Sequence, residues 1–467
     1  MDRAKAREPF AVVPARRRML EAWRGRRREE AGLLRRRRKR RPAELKDVTR
    51  WGRLCASGAV AELLAELRAA AEAGEGAAYD QGAALKALGE APPGLWVSLD
   101  RAARTVEGQR PPAAEEADPL RLLLAAMDRD GRTRQAAVEG LAHTGGPLVA
   151  TALALRTADW VDPVRERAVG ALALRSAPDE AAAAVRILLR LRGRRRAAGA
   201  LEAYREVLAA PEARRAVRAL AADEEPLTRR FGVELALELG EFVRGDLVRT
   251  ALRDPDQVCR RLCAQRLLEL DPDQAGRLLW ARSAAVRELA VAALPEDVPA
   301  ARLTAPLADP ARIVRAQARW RLYSRGEPPA LTYRRQLVRC GPQSPSWMVA
   351  GLALGLGECG DGTDVPLLLR LVREARTPWP PAVRRAAVRA VGRLAPREDL
   401  VGLLGPLATD VDPGVAREAI EALAKVAGEV PPETVWFGRT RPEPAVRKAA
   451  ERLRSAQRQA QSGHRPR

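Results

Sequence analysis

Variants of one short stretch recur about ten times along this 467-residue chain, and that repetition restricts the possible folds more than any other feature. The clearest copy runs from Asp410 to Gly428. Val415, Ala419, Leu423 and Val426 fall at steps of four, four and three, on one face of a 3.6-residue period, with Glu418, Glu421 and Lys425 elsewhere on the circumference. Asp412 is placed to cap this helix, Pro413 to occupy its first turn and Gly428 to stop it.

Equivalents start at Thr133, Val164, Thr228, Val258, Val286, Val314, Val383, Val415 and Val446, at steps of 31, 64, 30, 28, 28, 69, 32 and 31. A degenerate helix fills each double-length gap, at residues 195–208 and 345–358. Shorter apolar-sided stretches lie between these helices, for example residues 119–127, 178–191, 271–281 and 364–374, so each repeat is a helical hairpin. A hairpin of some 30 residues cannot bury its own apolar face, and consecutive hairpins must stack into a continuous core. Only 4% of residues are aromatic and strand-type alternation is missing. The expected fold is all-α, an α-solenoid of about ten to eleven hairpins.

Several repeat helices carry an Asp six residues before an Arg: Asp128 before Arg134, Asp159 before Arg165, Asp223 before Arg229, Asp254 before Arg260 and Asp309 before Arg315. With the Val-Arg, Ala and Ala-Leu positions that follow, the chain resembles the HEAT family, in particular its short bacterial HEAT-like repeats, from about residue 51 to 456. The resemblance implies that these ten side chains form a hydrogen-bonded ladder between successive repeats. Three helices depart from the pattern, with Ala281 six before Arg287, Pro378 before Arg384 and Arg441 before Arg447. The resemblance speaks to fold and hardly to activity.

Charge is unevenly spread. Of a net +22, residues 1–50 hold +12 and residues 447–467 hold +6, which leaves the array near neutral. The N-terminal excess sits on Arg16, Arg17, Arg18, Arg26, Arg27, Arg28, Arg35, Arg36, Arg37, Arg38, Lys39, Arg40 and Arg41. Only 6 of the 82 basic residues are Lys, as codon bias alone would produce, but codon bias does not concentrate charge in fifty residues. Apolar residues there are too sparse to bury much surface, so residues 1–44 are expected to be a disordered basic arm. Its arginines suit a phosphate backbone, an anionic partner protein or a membrane surface. Residues 45–106 are expected to be N-terminal helical repeats, 107–118 a Pro-rich acidic linker where the repeat phase is lost, 119–456 the repeat array and 457–467 a basic tail.

Catalytic chemistry finds little support. With two histidines, His143 and His464, no Ser/His/Asp, Cys/His or His-rich metal set can be assembled, and neither a metal nor a cofactor is expected. Cys259 and Cys263, four apart, have no second pair nearby and fit core packing. The glycines of residues 351–362 end a helix and complete no phosphate-binding loop. Five unpaired-looking cysteines, no apolar run of 18 residues and a charged N-terminus point to a reducing, cytoplasmic setting without a transmembrane segment. The nine tryptophans, several beside Arg, are expected mainly at hairpin junctions, with an aromatic and basic groove as the alternative.

These readings lead to a non-enzymatic HEAT-repeat scaffold that holds a protein partner on its concave face, with the arm attaching to nucleic acid or an acidic partner. The alternative is an enzyme of the HEAT-like alkylpurine DNA glycosylase type, which uses Trp side chains and one Asp. Its nearest counterpart here is Asp159-Trp160-Val161-Asp162. Phycobilin lyases share such repeats, but no catalytic signature for that activity is present. A glycosylase would need an Asp free of any Arg partner in a Trp-lined cleft.

Overall fold

The computed structural model describes residues 58–72, 81–105, 118–373 and 379–462. The basic arm, most of the acidic linker and the last five residues lie outside them. Among the described residues there are 25 α-helices and no strand. The chain is an α-solenoid of stacked hairpins that divides into two compact units, Met1–Val243 and Arg244–Arg467.

The first unit opens with α1 (Gly58–Glu72), α2 (Gln81–Gly89) and α3 (Pro93–Thr105). Four hairpins follow: α4 (Pro119–Ala125) with α5 (Gly131–Ala142), α6 (Pro147–Arg156) with α7 (Asp162–Ala173), α8 (Pro178–Leu191) with α9 (Ala200–Ala209), and α10 (Arg214–Ala221) with α11 (Pro226–Glu238). One apolar core runs from Val60 through Leu123, Leu153 and Leu188 to Ala236. The expected linker therefore does not separate two cores. Asp118, its last residue, caps α4 by accepting from Leu120 N–H and takes a further bond from Gln81 on α2. Helix α3 packs on α1, and the indole N–H of its Trp96 donates to the Leu88 carbonyl.

The second unit holds seven hairpins: α12 (Arg244–Arg253) with α13 (Gln257–Leu270), α14 (Ala275–Leu278) with α15 (Ala284–Ala292), α16 (Ala300–Leu307) with α17 (Arg312–Tyr323), and α18 (Pro329–Arg339) with α19 (Ser346–Cys359). The rest are α20 (Val365–Arg373) with α21 (Pro381–Leu394), α22 (Leu400–Leu404) with α23 (Pro413–Leu423), and α24 (Pro432–Thr440) with α25 (Pro444–Ser462). Each repeat's second helix stacks on the second helix of a neighbour, as α15 does on α17 and α21 on α23.

Local signals explain the boundaries. Asp412 caps α23 by accepting from Val415 N–H, with Pro413 at its first position. The α-helix stops at Leu423, five residues before Gly428, and the chain continues as a 3₁₀ stretch, Ala424–Glu429, kinked at Val426. That tighter turn keeps Val426 and Ala427 buried, which a straight helix ending at the glycine would not require. The last helix continues past residue 456 to Ser462, where Gln457 donates to the Val430 carbonyl.

The core is made of Ala, Val and Leu, and it is thin. Helices approach until backbone meets backbone: a Cβ on Gly232 in α11 would stand 2.3 Å from the backbone of Leu220 and Ala221 in α10. Such spacing leaves no room for indoles. Trp96 is buried, but Trp160, Trp280, Trp320, Trp347 and Trp436 are exposed, which corrects the expectation that tryptophans fill the hairpin junctions.

Cys259 and Cys263 lie buried on one face of α13. Burial, then the neighbouring Cys259 and Asp254, pushes the Cys263 thiol up to about 12, far from the range where a thiolate forms at neutral pH. Iodoacetamide at pH 8 is expected to leave both unmodified in the folded chain and to alkylate both in denaturant. Peptide mass mapping reads the result, and modification of folded Cys263 would contradict it.

Candidate functional site

The residues expected to form a ladder are arranged by a division of labour. Seven repeat arginines hold their own turns by donating from Nη1 to the backbone carbonyl six residues earlier. Arg134 bonds the Asp128 carbonyl at 3.0 Å, Arg165 that of Asp159 at 3.0 Å, and Arg315 that of Asp309 at 2.7 Å. Arg229 and Arg260 do the same with Asp223 and Asp254, at 2.6 and 2.5 Å. Because the acceptor is a carbonyl, the side chain six before is free to vary: Arg287 bonds the Ala281 carbonyl at 2.8 Å and Arg447 that of Arg441 at 2.9 Å.

The aspartate at that position works elsewhere. One carboxylate oxygen accepts the N–H two residues on, as Asp159 does from Val161, Asp223 from Glu225 and Asp309 from Ala311. The other side reaches an arginine of another repeat. Arg134 donates to both oxygens of Asp159 at 2.8 and 2.9 Å, and Arg287 to both of Asp309 at 2.7 and 2.8 Å. The Arg134 and Arg287 pairs are bidentate, the strong form of the contact, while Arg384 reaches one oxygen of Asp410. In the degenerate repeat the acceptor changes: Arg315 and Arg319 of α17 both bond Glu358 of α19, each at 2.5 Å.

Around Asp159 the ladder widens into a cluster. Asp159 also accepts from Arg156 at 3.0 Å and lies 3.6 Å from Arg104, while Arg156 and Arg104 share Asp100. Burial raises the Asp159 pKa, but the bonds from Arg134 and Val161 and the charges of Arg156 and Arg134 outweigh it and hold the carboxyl below its usual range. The guanidiniums of Arg104 and Arg134 lie against the Trp160 ring, 4.4 and 4.6 Å from its centroid. Asp159 is thus saturated by arginines, unlike the unpartnered Asp that glycosylase chemistry would need. A cleft of about 320 Å³ between α12 and α13, lined by Leu247, Leu267 and Leu270 under the Arg244–Asp271 ion pair, brings no catalytic set together.

A second feature lies in the second unit. On α17, Val314, Ala318 and Leu322 are buried, whereas Ile313, Trp320 and Tyr323 are 46%, 58% and 75% exposed. Steps of seven and three put the exposed three on one stripe, almost opposite the buried face. Trp347, 50% exposed, lies in the first turn of α19, which the Glu358 bonds join to α17. Next in the row, α21 carries Arg385, Arg389 and Arg393 at steps of four and no acidic residue. That spacing was present in the sequence; an apolar stripe on the wrong side of a core helix was its signal.

The repeat arithmetic, the carbonyl-bound arginines and the stacked hairpins agree with comparison to known families. Residues 368–454 match the family of HEAT repeats. Over these residues the chain is built of HEAT repeats. Three solved structures of the karyopherin Kap121p resemble the HEAT array, bound to the extreme C-terminus of the protein phosphatase Cdc14p, to the SUMO protease Ulp1p and to Nup53p. Identity is 11%, 12% and 12%, and the TM-score is 0.27 for each. They cover 85%, 86% and 86% of this chain, which spans 50% of the length of each of them. No curated protein matches the chain. No helix among the described residues is long and apolar enough to cross a membrane.

Proposed function

We propose that this HEAT-repeat chain is a non-enzymatic scaffold that binds a protein partner along the second helices of its repeats, with the arm at residues 16–41 adding electrostatic attachment to nucleic acid or an acidic protein. The observation that carries the reading is α17, a helix apolar on two opposite sides. Its inner side is consumed by the core. Its outer stripe of Ile313, Trp320 and Tyr323 has the aromatic composition of binding hot spots, in a chain where aromatic residues are scarce. Arg385 of α21, which has no carboxylate partner among the described residues, favours a partner segment with apolar anchors and acidic flanks.

Panning a random peptide library on the folded protein tests this. The expected winners carry aromatic or leucine anchors among acidic residues, and Trp320→Ala is expected to weaken them by about 30-fold or more, as loss of a hot-spot residue does. Peptides that bind Trp320→Ala as tightly as the parent would remove the surface from the proposal.

A further inference from the structure

The near-neutral balance of the array conceals one concentrated exception. Residues 190–196 read Arg-Leu-Arg-Gly-Arg-Arg-Arg, and no Asp or Glu stands between Glu180 and Glu202. The segment leaves the end of α8 and enters a single 3₁₀ turn, Arg195–Ala197. Leu191 and Ala197 are buried and pin the backbone at both ends, while Arg190, Arg192, Arg194, Arg195 and Arg196 are all exposed. None of these five guanidiniums forms an ion pair or a hydrogen bond with the described residues. Arg134, Arg186, Arg287, Arg315 and Arg389, by contrast, are committed in ion pairs of the array itself. Five free guanidiniums in seven residues create a strongly positive local field.

The fold sets a second group beside them. Helix α8 packs on α3, and Arg194 lies within reach of the charges on Asp100, Arg101 and Arg104. Arg101 is exposed and makes no ion pair with the described residues. Asp100 and Asp159 do not neutralise the segment, because Arg104, Arg134 and Arg156 already occupy them. Arg104 and Arg134 both lie against Trp160, which nonetheless is 47% exposed. The patch therefore combines uncommitted guanidiniums with an accessible aromatic surface.

We propose that the Arg190–Arg196 segment, Arg101 and the ring of Trp160 form a binding site for single-stranded nucleic acid. The arginines take the phosphates, with the fork geometry that suits their oxygens, and the indole stacks on a base. A duplex keeps its bases stacked internally and gains nothing from Trp160. An acidic protein surface has charge but no planar bases to place on the ring. The site belongs to the folded repeats and does not depend on the N-terminal arm.

Fluorescence anisotropy of a labelled 12-nucleotide oligothymidylate on the full chain tests the site, with heparin as a second probe. Each variant is made both in the parent and in a chain whose basic residues 35–41 are serine, so that attachment by the arm is measured separately. Replacing the five arginines by alanine is expected to weaken oligonucleotide binding at least tenfold and to lower the slope of log K against log salt by about 3.5, near 0.7 per lost single-strand contact. Trp160→Leu is expected to weaken it about 5- to 100-fold while leaving heparin unchanged, with recovery in Trp160→Phe. Unchanged binding by the five-alanine variant would overturn the site. So would a Trp160→Leu effect that is absent, or equal for oligonucleotide and heparin, since the patch would then be a plain polyanion or acidic-protein surface. The arginine substitutions are at exposed positions, so that arm of the test stands even if Trp160→Leu loosens the fold.

Discussion

Replacing Asp159 with alanine is expected to destabilise the first unit by about 3 to 5 kcal/mol, the range for removing one partner of a buried ionic cluster. The carboxylate accepts from Arg134 and Arg156, faces Arg104 and closes the turn at Val161, all with its own side chain fully buried. Without it, Arg104 and Arg156 keep Asp100 while Arg134 keeps the Asp128 and Arg129 carbonyls, and Arg134 and Arg156 are too buried for water to replace the loss. Asp162→Ala is the matched control. Its pair with Arg165 is 2.8 Å long but solvent-exposed, so a change of no more than about 0.5 kcal/mol is expected. Urea unfolding by circular dichroism, with hydrogen exchange on α5 and α7, separates the two. Equal shifts would mean that the cluster is not a structural centre.

Gly351→Ala is expected to be about as damaging, at about 3 to 5 kcal/mol, for a steric reason. A Cβ there would stand 1.7 Å from the Ala308 carbonyl oxygen and 2.4 Å from its carbon. These are backbone atoms at the end of α16, and no rotamer change moves them. The two helices must separate, and the contact between their repeats opens. Gly402→Ala in α22 should have the opposite sign. Nothing lies within 4 Å of its Cβ position, so helix propensity alone raises stability by up to about 1 kcal/mol. Thermal melts of both variants check the pair, and a neutral Gly351→Ala would show that α19 slides on its neighbour.

Much of the fold was legible because the repeat helix announces itself locally: a cap, a first-turn proline and apolar steps of three and four. The short helices that pair with it were legible for the same reason, as at residues 178–191. Side-chain partnership was less so. A spacing of six places an arginine near an aspartate, but both the carboxylate and the carbonyl of that residue are then in range, and the sequence does not say which is used. The Glu358 rung was hidden because it lies 43 residues from Arg315 on the degenerate helix. Exposure of the tryptophans depended on how closely helices approach, which the glycines permit but do not announce. The Arg190–Arg196 cluster was masked by averaging charge over the whole array. The basic arm, the first candidate on the sequence, lies outside the described residues and stands as a proposal.

The carbonyl grip of the repeat arginine has a consequence for how such an array can change. Every amino acid offers a main-chain oxygen, so the position six before the arginine is released from any demand of its own turn. Ala281 and Arg441 use that freedom; Asp159 and Asp309 use it to reach into another repeat. A repeat can thus be copied with its arginine alone and still close its corner, and its attachment to neighbours can be strengthened or loosened afterwards by a single codon.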